Sequence, residues 1–206
     1  MIMFNNLLTY GDLIELKLDC NSKKLLEEIK DFEWKRYNPR KDINRYGLSI
    51  TSEDGSLNGK DLDSLAELTK ETGTIYDEDS FTKLTDVYYK SKEVQKLVEP
   101  FKPWLCRTHF LNFRKGGYFP PHIDNRLVDK TKFIRILVPI KKIKPSYLYF
   151  IHDGNILNFN RGSAYFLNTN KQHCIFSFND DCIMLVMNLK ATDDCIRKVF
   201  DLMRWK

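Results

Sequence analysis

The segment Gly116-Gly117-Tyr118-Phe119-Pro120-Pro121-His122-Ile123-Asp124 sets an imidazole and a carboxylate two positions apart. On an extended chain, side chains two apart share a face, so His122 and Asp124 can converge on one ion as two members of a two-histidine, one-carboxylate metal site. The prolines before His122 restrict the backbone to extended φ and ψ, which holds the pair at a strand edge. An H-x-D alone is not specific, because four histidines and 28 acidic residues in 206 make some H-x-(D/E) roughly an even chance. The third ligand has to come from a distant strand.

Two histidines lie downstream. His152 abuts Asp153-Gly154, a hairpin signal, and reads as solvent-facing at a turn. His173 follows Gly162-Ser163-Ala164-Tyr165-Phe166-Leu167-Asn168 and begins an apolar strand 49 positions past Asp124, a gap that holds four or five short strands. Spacing thus favours His173 over His152 as the partner of His122 and Asp124. His109, inside Thr108-His109-Phe110, reads as a core or pocket-wall residue.

The elements that must position these groups change character along the chain. Before residue 105, helical spacing appears at Leu25, Leu26 and Ile29 behind an Asn21-Ser22 cap, at Leu62, Leu65 and Leu68 before Gly73, and from Ser91 to a stop at Pro100. Tyr46 to Ile50 reads as extended. From Leu105 the pattern becomes short β-like runs closed by turns: Leu105–Phe113, the piece around His122, Phe133–Ile140, Tyr147–Ile151, Ile156–Phe159, Ala164–Leu167, Cys174–Phe178 and Cys182–Leu189. About eight such strands without intervening helices predict a mainly β fold with flanking helices, a double-stranded β-helix (jelly-roll, cupin-like) core. A last helix starts at Thr192, with Ile196, Val199, Phe200 and Met203 as its apolar stripe. No linker is visible, so we expect a single domain over 1–206: a helical or mixed part at 1–104 packed on the core, the jelly roll at 105–190 and a C-terminal helix at 191–206.

Composition narrows the class without naming it. Hydrophobic residues at 42% and charged residues at 30% exclude a disordered or fibrous chain. The net charge of +5 is spread along the sequence, so a solvated face is the expected reading and nucleic acid is not an expected partner. Five cysteines, odd in number and with no C-x-x-C, suggest neither a disulfide frame nor a thiolate zinc site and fit reduced thiols in a cytoplasm. No apolar run approaches the roughly 20 residues of a membrane span, and no signal-peptide pattern opens the chain.

Taken in order, Arg107-Thr-His-Phe-Leu-Asn-Phe-Arg-Lys-Gly-Gly-Tyr-Phe-Pro-Pro-His122-Ile-Asp124, then Phe133-Ile-Arg135-Ile-Leu-Val-Pro-Ile, then Gly162-Ser-Ala-Tyr-Phe-Leu-Asn and His173 resemble the iron(II)/2-oxoglutarate-dependent dioxygenases. The flavour is that of the aspartyl/asparaginyl β-hydroxylase-like branch, over about Leu105 to Lys190. The resemblance implies Fe(II) held by His122, Asp124 and His173, with 2-oxoglutarate and O2 as cosubstrates. It also implies hydroxylation of an unactivated C–H bond in an amino-acid, peptidyl or small-metabolite substrate, with succinate and CO2 as coproducts. One departure stands out: many members carry a cation about ten positions beyond the last histidine, where this chain reads Asp181-Cys182-Ile183-Met184. Arg135, which matches a basic residue some members of the branch use, is then the expected anchor for 2-oxoglutarate, since a guanidinium can pair bidentately with a carboxylate. Tyr118, Phe119, Tyr147, Tyr149 and Phe166 are aromatics that either wall the pocket or fill the core.

Two other readings share these residues. A cupin-like module would bind a metal or sugar without 2-oxoglutarate turnover. A nucleic-acid base demethylase would use the same iron site but should present a basic stripe with stacking aromatics, which the sequence lacks.

Overall fold

The computed structural model describes residues 2–124 and 132–205. Before residue 105 come α1 (Ile2–Leu8), β1 (Leu13–Asp19), α2 (Ser22–Glu28), β2 (Lys35–Arg36), β3 (Arg45–Ser49), β4 (Thr51–Ser52), α3 (Leu65–Thr72), β5 (Lys83–Leu84), α4 (Asp86–Lys90) and α5 (Lys92–Val98). Then follow β6 (Leu105–Phe113), β7 (Tyr118–His122), β8 (Phe133–Lys141), β9 (Leu148–His152), β10 (Asn155–Ile156), β11 (Ser163–Leu167), β12 (His173–Ser177), β13 (Cys182–Lys190) and α6 (Asp193–Leu202). The eight strands from β6 to β13 match the expected core, although the run expected over Ile156–Phe159 pairs only at Asn155 and Ile156. Leu157 N still donates to Phe150 O at 2.8 Å, and Phe159 beyond it is buried.

A seven-stranded sheet in the order β1-β11-β8-β13-β6-β3-β2 faces a four-stranded sheet in the order β10-β9-β12-β7, all pairs antiparallel. This is the double-sheet jelly roll, flanked by helices. The N-terminal part does more than pack on it: β1 and β3 are strands of the large sheet itself, paired to β11 and β6. The signal for β1 is Leu13-Ile-Glu-Leu-Lys-Leu-Asp, whose Ile14, Leu16 and Leu18 alternate strictly and are buried.

The large sheet is buried on both faces. Ile134, Ile136 and Val138 of β8, with Leu185 and Met187 of β13, pack toward Leu7, Leu25, Leu97 and Val199 of the helices. Leu137 of β8, with Met184 and Val186 of β13, packs toward Phe150 and Ile175 of the small sheet. A strand covered on both sides is apolar at every position, so alternation in the sequence cannot say which face looks into the barrel. Phe166, expected as a pocket wall or core residue, lies in the helix-side core.

The caps follow from the residues. Asn21 accepts hydrogen bonds from the backbone N–H groups of Lys23 and Lys24, Gly73 ends α3 at φ 70°, and Thr192 Oγ1 accepts from Cys195 N at 3.2 Å. Among the described residues no helix is long and apolar enough to cross a membrane.

Candidate metal centre

The turn that delivers the H-x-D is built on Gly116-Gly117. Gly116 sits at φ 80°, and a Cβ on Gly117 would fall 2.3 Å from the Asn44 carbonyl oxygen, so the chain can pass under β3 only without a side chain there. The following strand, β7, is the edge of the small sheet, the place where two prolines lacking N–H donors are tolerated. Its inner neighbour β12 pairs His173 with His122 in register, and the two rings lie 4.2 Å apart.

His122, Asp124 and His173 offer one ligand atom each, all within 4.8 Å of one another. His122 Nε2 is 3.3 Å from Asp124 Oδ1, and His173 Nε2 is 3.8 Å from Asp124 Oδ2. The other ring nitrogens are taken by backbone carbonyls: His122 Nδ1 donates to Pro120 O at 2.7 Å and His173 Nδ1 donates to Lys171 O at 3.0 Å. That fixes the tautomer and aims both Nε2 lone pairs at the same spot, as outer-shell carbonyls do around metal-bound imidazoles. Asp124 Oδ2 is buried without a hydrogen bond, an unmet acceptor that a cation would satisfy. The donor set is hard to borderline, two imidazoles and one carboxylate, which suits a divalent transition ion with positions left open. The residues fit the group.

The electrostatics favour the deprotonated forms a metal needs. Burial pushes Asp124 up, but Arg135, the hydrogen bond with His122 and the two imidazoles outweigh it and hold the carboxyl well below the usual range. Burial brings His173 down to about 4, partly opposed by Asp124 and the Lys171 carbonyl, so the ring is neutral at pH 7. Arg135 Nε lies 3.0 Å from Asp124 Oδ2 and its Nη2 3.9 Å from Glu78 Oε1. Glu78 in turn reaches Arg107 at 3.5 Å and accepts from Asn188 Nδ2 at 2.8 Å. Two guanidiniums and two carboxylates thus cancel around the site.

A cavity of about 120 Å³ opens behind the triad, between the two sheets. Its polar lining is Tyr37, His109, Arg135 and Thr169 beside the triad, and the rest of its wall is apolar. His109 is a pocket-wall residue as read from the sequence, 3% exposed. Phe119 lines the cavity too, whereas Tyr118, Tyr147 and Tyr149 point outward and are exposed.

His152 is the correction. It is not solvent-facing: it is 4% exposed, its Nε2 bonds Asn168 O at 2.7 Å, and it pairs with His173 across β9 and β12. Leu148, Phe150 and His152 alternate onto the inner face, and the turn begins one residue later, where Asp153 and Gly154 take φ 48° and 79°. His152 stays outside the cluster of three ligand atoms. Tyr37, Thr169 and Glu78 were not expected at the site; they arrive from loops and a short 3-10 turn that carry no periodic signal.

No protein-family model and no curated protein matches this sequence. Solved structures do. An oxidoreductase of the 2OG-Fe(II) oxygenase family from Burkholderia pseudomallei is 10% identical, with 93% of this chain and 91% of that one covered at a TM-score of 0.51. A prolyl-4-hydroxylase from Pseudomonas putida is 12% identical, with 93% and 100% covered at a TM-score of 0.47. KdgF from Halomonas sp. is 16% identical over 45% of this chain and 74% of that one, at a TM-score of 0.32. At 10% identity the likeness to the first of these establishes a shared fold, over nearly the whole of both chains.

Proposed function

We propose that this chain is an Fe(II)- and 2-oxoglutarate-dependent oxygenase that hydroxylates an unactivated C–H bond, with His122, Asp124 and His173 as its iron ligands. The observation that carries the reading is the convergence of these three donors within 4.8 Å at the mouth of a cavity, both imidazoles pinned through Nδ1. Charge supports it: the surrounding guanidiniums and carboxylates cancel, so a divalent ion would leave two positive charges for a dianionic cosubstrate to balance.

Bound iron would supply the activation of oxygen and the coordination of a 2-oxo acid. The protein's own residues do the rest. His122 and His173 are held in orientation by backbone carbonyls that accept from their Nδ1, and burial keeps the His173 ring neutral. Arg135 holds Asp124 ionised and presents its guanidinium to the cavity, where the 2-oxoglutarate carboxylate would pair with it. Leu111, Leu137, Phe150, Ile175, Met184 and Val186 keep water from the interior.

The residue pattern around H-x-D and Arg135 favours the aspartyl/asparaginyl β-hydroxylase-like branch, and a small-molecule or peptide substrate in a cytoplasmic setting is part of the same proposal. Succinate release with Fe(II) and 2-oxoglutarate against a pooled library of metabolites and peptides tests it and identifies the substrate. A protein that binds metal but turns over no 2-oxoglutarate with any member would instead be a cupin-like binding module. Strong, salt-sensitive binding of DNA or RNA would favour base demethylation.

A further inference from the structure

Among the described residues, the buried side-chain atoms that find no hydrogen bond include two on residues lining the metal cavity, Asp124 Oδ2 and His109 Nδ1. The first belongs to the metal. The second has no explanation in the protein: His109 is 3% exposed, and its ring only packs against Tyr37, at 5.3 Å between centroids. No hydrogen bond joins His109 Nδ1 to Tyr37, whose hydroxyl accepts from Arg107 at 3.3 Å.

The register places this imidazole. Across the inner face of the large sheet, Asn188 of β13 pairs with Arg135, and one step deeper His109 of β6 pairs with Val186, which pairs with Leu137. The next residues inward, Leu111 and Met184, are paired and apolar. Polar groups therefore end at His109 and Arg135, and beyond them the cavity floor offers no partner for a charge. Arg135 is the one Lys or Arg among the described residues that line this cavity.

We propose that His109 is the second carboxylate-binding residue of this pocket, donating a ring N–H to the distal carboxylate of 2-oxoglutarate while Arg135 pairs with it from the neighbouring side. The inference rests on the oxygenase reading. A neutral imidazole suits the task, because one nitrogen always carries a proton to donate and burial beside Arg107 and Arg135 keeps the ring uncharged. A five-carbon dicarboxylate would then lie across the top of the cavity, held between Arg135 and His109, and would not descend into the apolar floor.

The test is calorimetric titration of the Co(II)-loaded protein, without turnover, using 2-oxoglutarate and 2-oxopentanoate, which has the same chain without the distal carboxylate. His109→Leu and His109→Phe should each weaken 2-oxoglutarate on the order of tenfold or more, leaving Co(II) and 2-oxopentanoate affinities unchanged. His109→Gln, which keeps an N–H donor, should recover part of the loss. The apolar variants should melt no lower than wild type, since they remove a buried polar group that had no partner. Unchanged 2-oxoglutarate affinity in both apolar variants overturns the inference and leaves the oxygenase proposal standing. Equal losses for both oxo acids, with a lower Tm, overturn it in favour of a structural role. If wild-type protein takes up Co(II) but not 2-oxoglutarate, both proposals fall together.

Discussion

Arg135 Nε stands 3.0 Å from Asp124 Oδ2, so the cation expected to hold the cosubstrate also touches a candidate metal ligand. The contact lacks hydrogen-bond geometry and leaves that oxygen free to coordinate. Arg135 is one-quarter exposed at its side chain and lines the cavity, so part of its donor fork faces the space a cosubstrate would occupy. In the proposed site one residue would couple the ionisation of a metal ligand to recognition of an acid.

Arg135→Ala should raise the 2-oxoglutarate requirement by roughly tenfold to a hundredfold, the loss of a charge-assisted pair of about 1.5–3 kcal/mol. Metal binding should persist, because all three ligand side chains are untouched and a bound cation itself favours the ionised carboxylate of Asp124. Titrating Co(II) and then 2-oxoglutarate into the variant separates the two effects. An unchanged 2-oxoglutarate affinity would remove Arg135 from the anchor role.

Single replacement of His122, Asp124 or His173 by Ala should abolish stoichiometric Co(II) binding and 2-oxoglutarate turnover while leaving the far-ultraviolet circular dichroism of a folded protein. The three side chains line the cavity and stand outside the apolar cluster between the sheets. Full metal affinity in His173→Ala would refute the ligand set.

His152→Ala separates a buried neighbour from a ligand. The side chain fills space beside His173 and bonds the Asn168 carbonyl, so its loss should cost about 1–3 kcal/mol of stability. Metal binding should survive, since His152 Nε2 is already committed to that carbonyl. Denaturant unfolding and a Co(II) titration on the same sample decide it. Loss of metal binding with stability intact would make His152 a ligand.

Residue type and period two made part of this site legible in the sequence. His122 and Asp124 share a face because they are two apart, and His173 follows a strand long enough to return to them. The inward direction of Arg135 was not legible, because Ile134 and Ile136 are buried against helices while Leu137 is buried against the small sheet. His152 was misread because the Asp153-Gly154 signal fixes the turn but not the face of the residue before it. Ile14, Leu16 and Leu18 did carry a strand signal, easily overlooked amid helical neighbours. Tyr37 and Thr169 reach the cavity from irregular chain, whose path no local pattern encodes.

The first hundred residues should not separate from the rest as a folded fragment. β1 and β3 are paired into the large sheet, and α2 and α5 cover its outer face, so cutting near residue 104 would expose both sheet edges and the helix-side core. Limited proteolysis should therefore yield either intact chain or small peptides. A protease-resistant fragment spanning residues 1–104 would argue for a separable unit.

Asp61 gives the fold a pH dependence of its own. It is fully buried, Oδ1 accepts from Ser49 Oγ at 2.7 Å, and Oδ2 has no hydrogen bond. Burial raises its carboxyl to about 6, with Ser49 and Arg107 opposing only part of the effect. The folded state then binds the proton more tightly than the unfolded chain, whose carboxyl titrates near 3.8. The stability from this group is fully present below about pH 4 and is lost as pH rises through about 6, by an amount on the order of 1–3 kcal/mol. Asp61→Asn stays neutral throughout and should lack that dependence. Urea unfolding of both proteins at pH 4.5 and 7.5 should show the variant gaining on wild type at the higher pH. A difference that does not move between the two values would mean that Asp61 is ionised in the folded protein throughout, held so by Arg107.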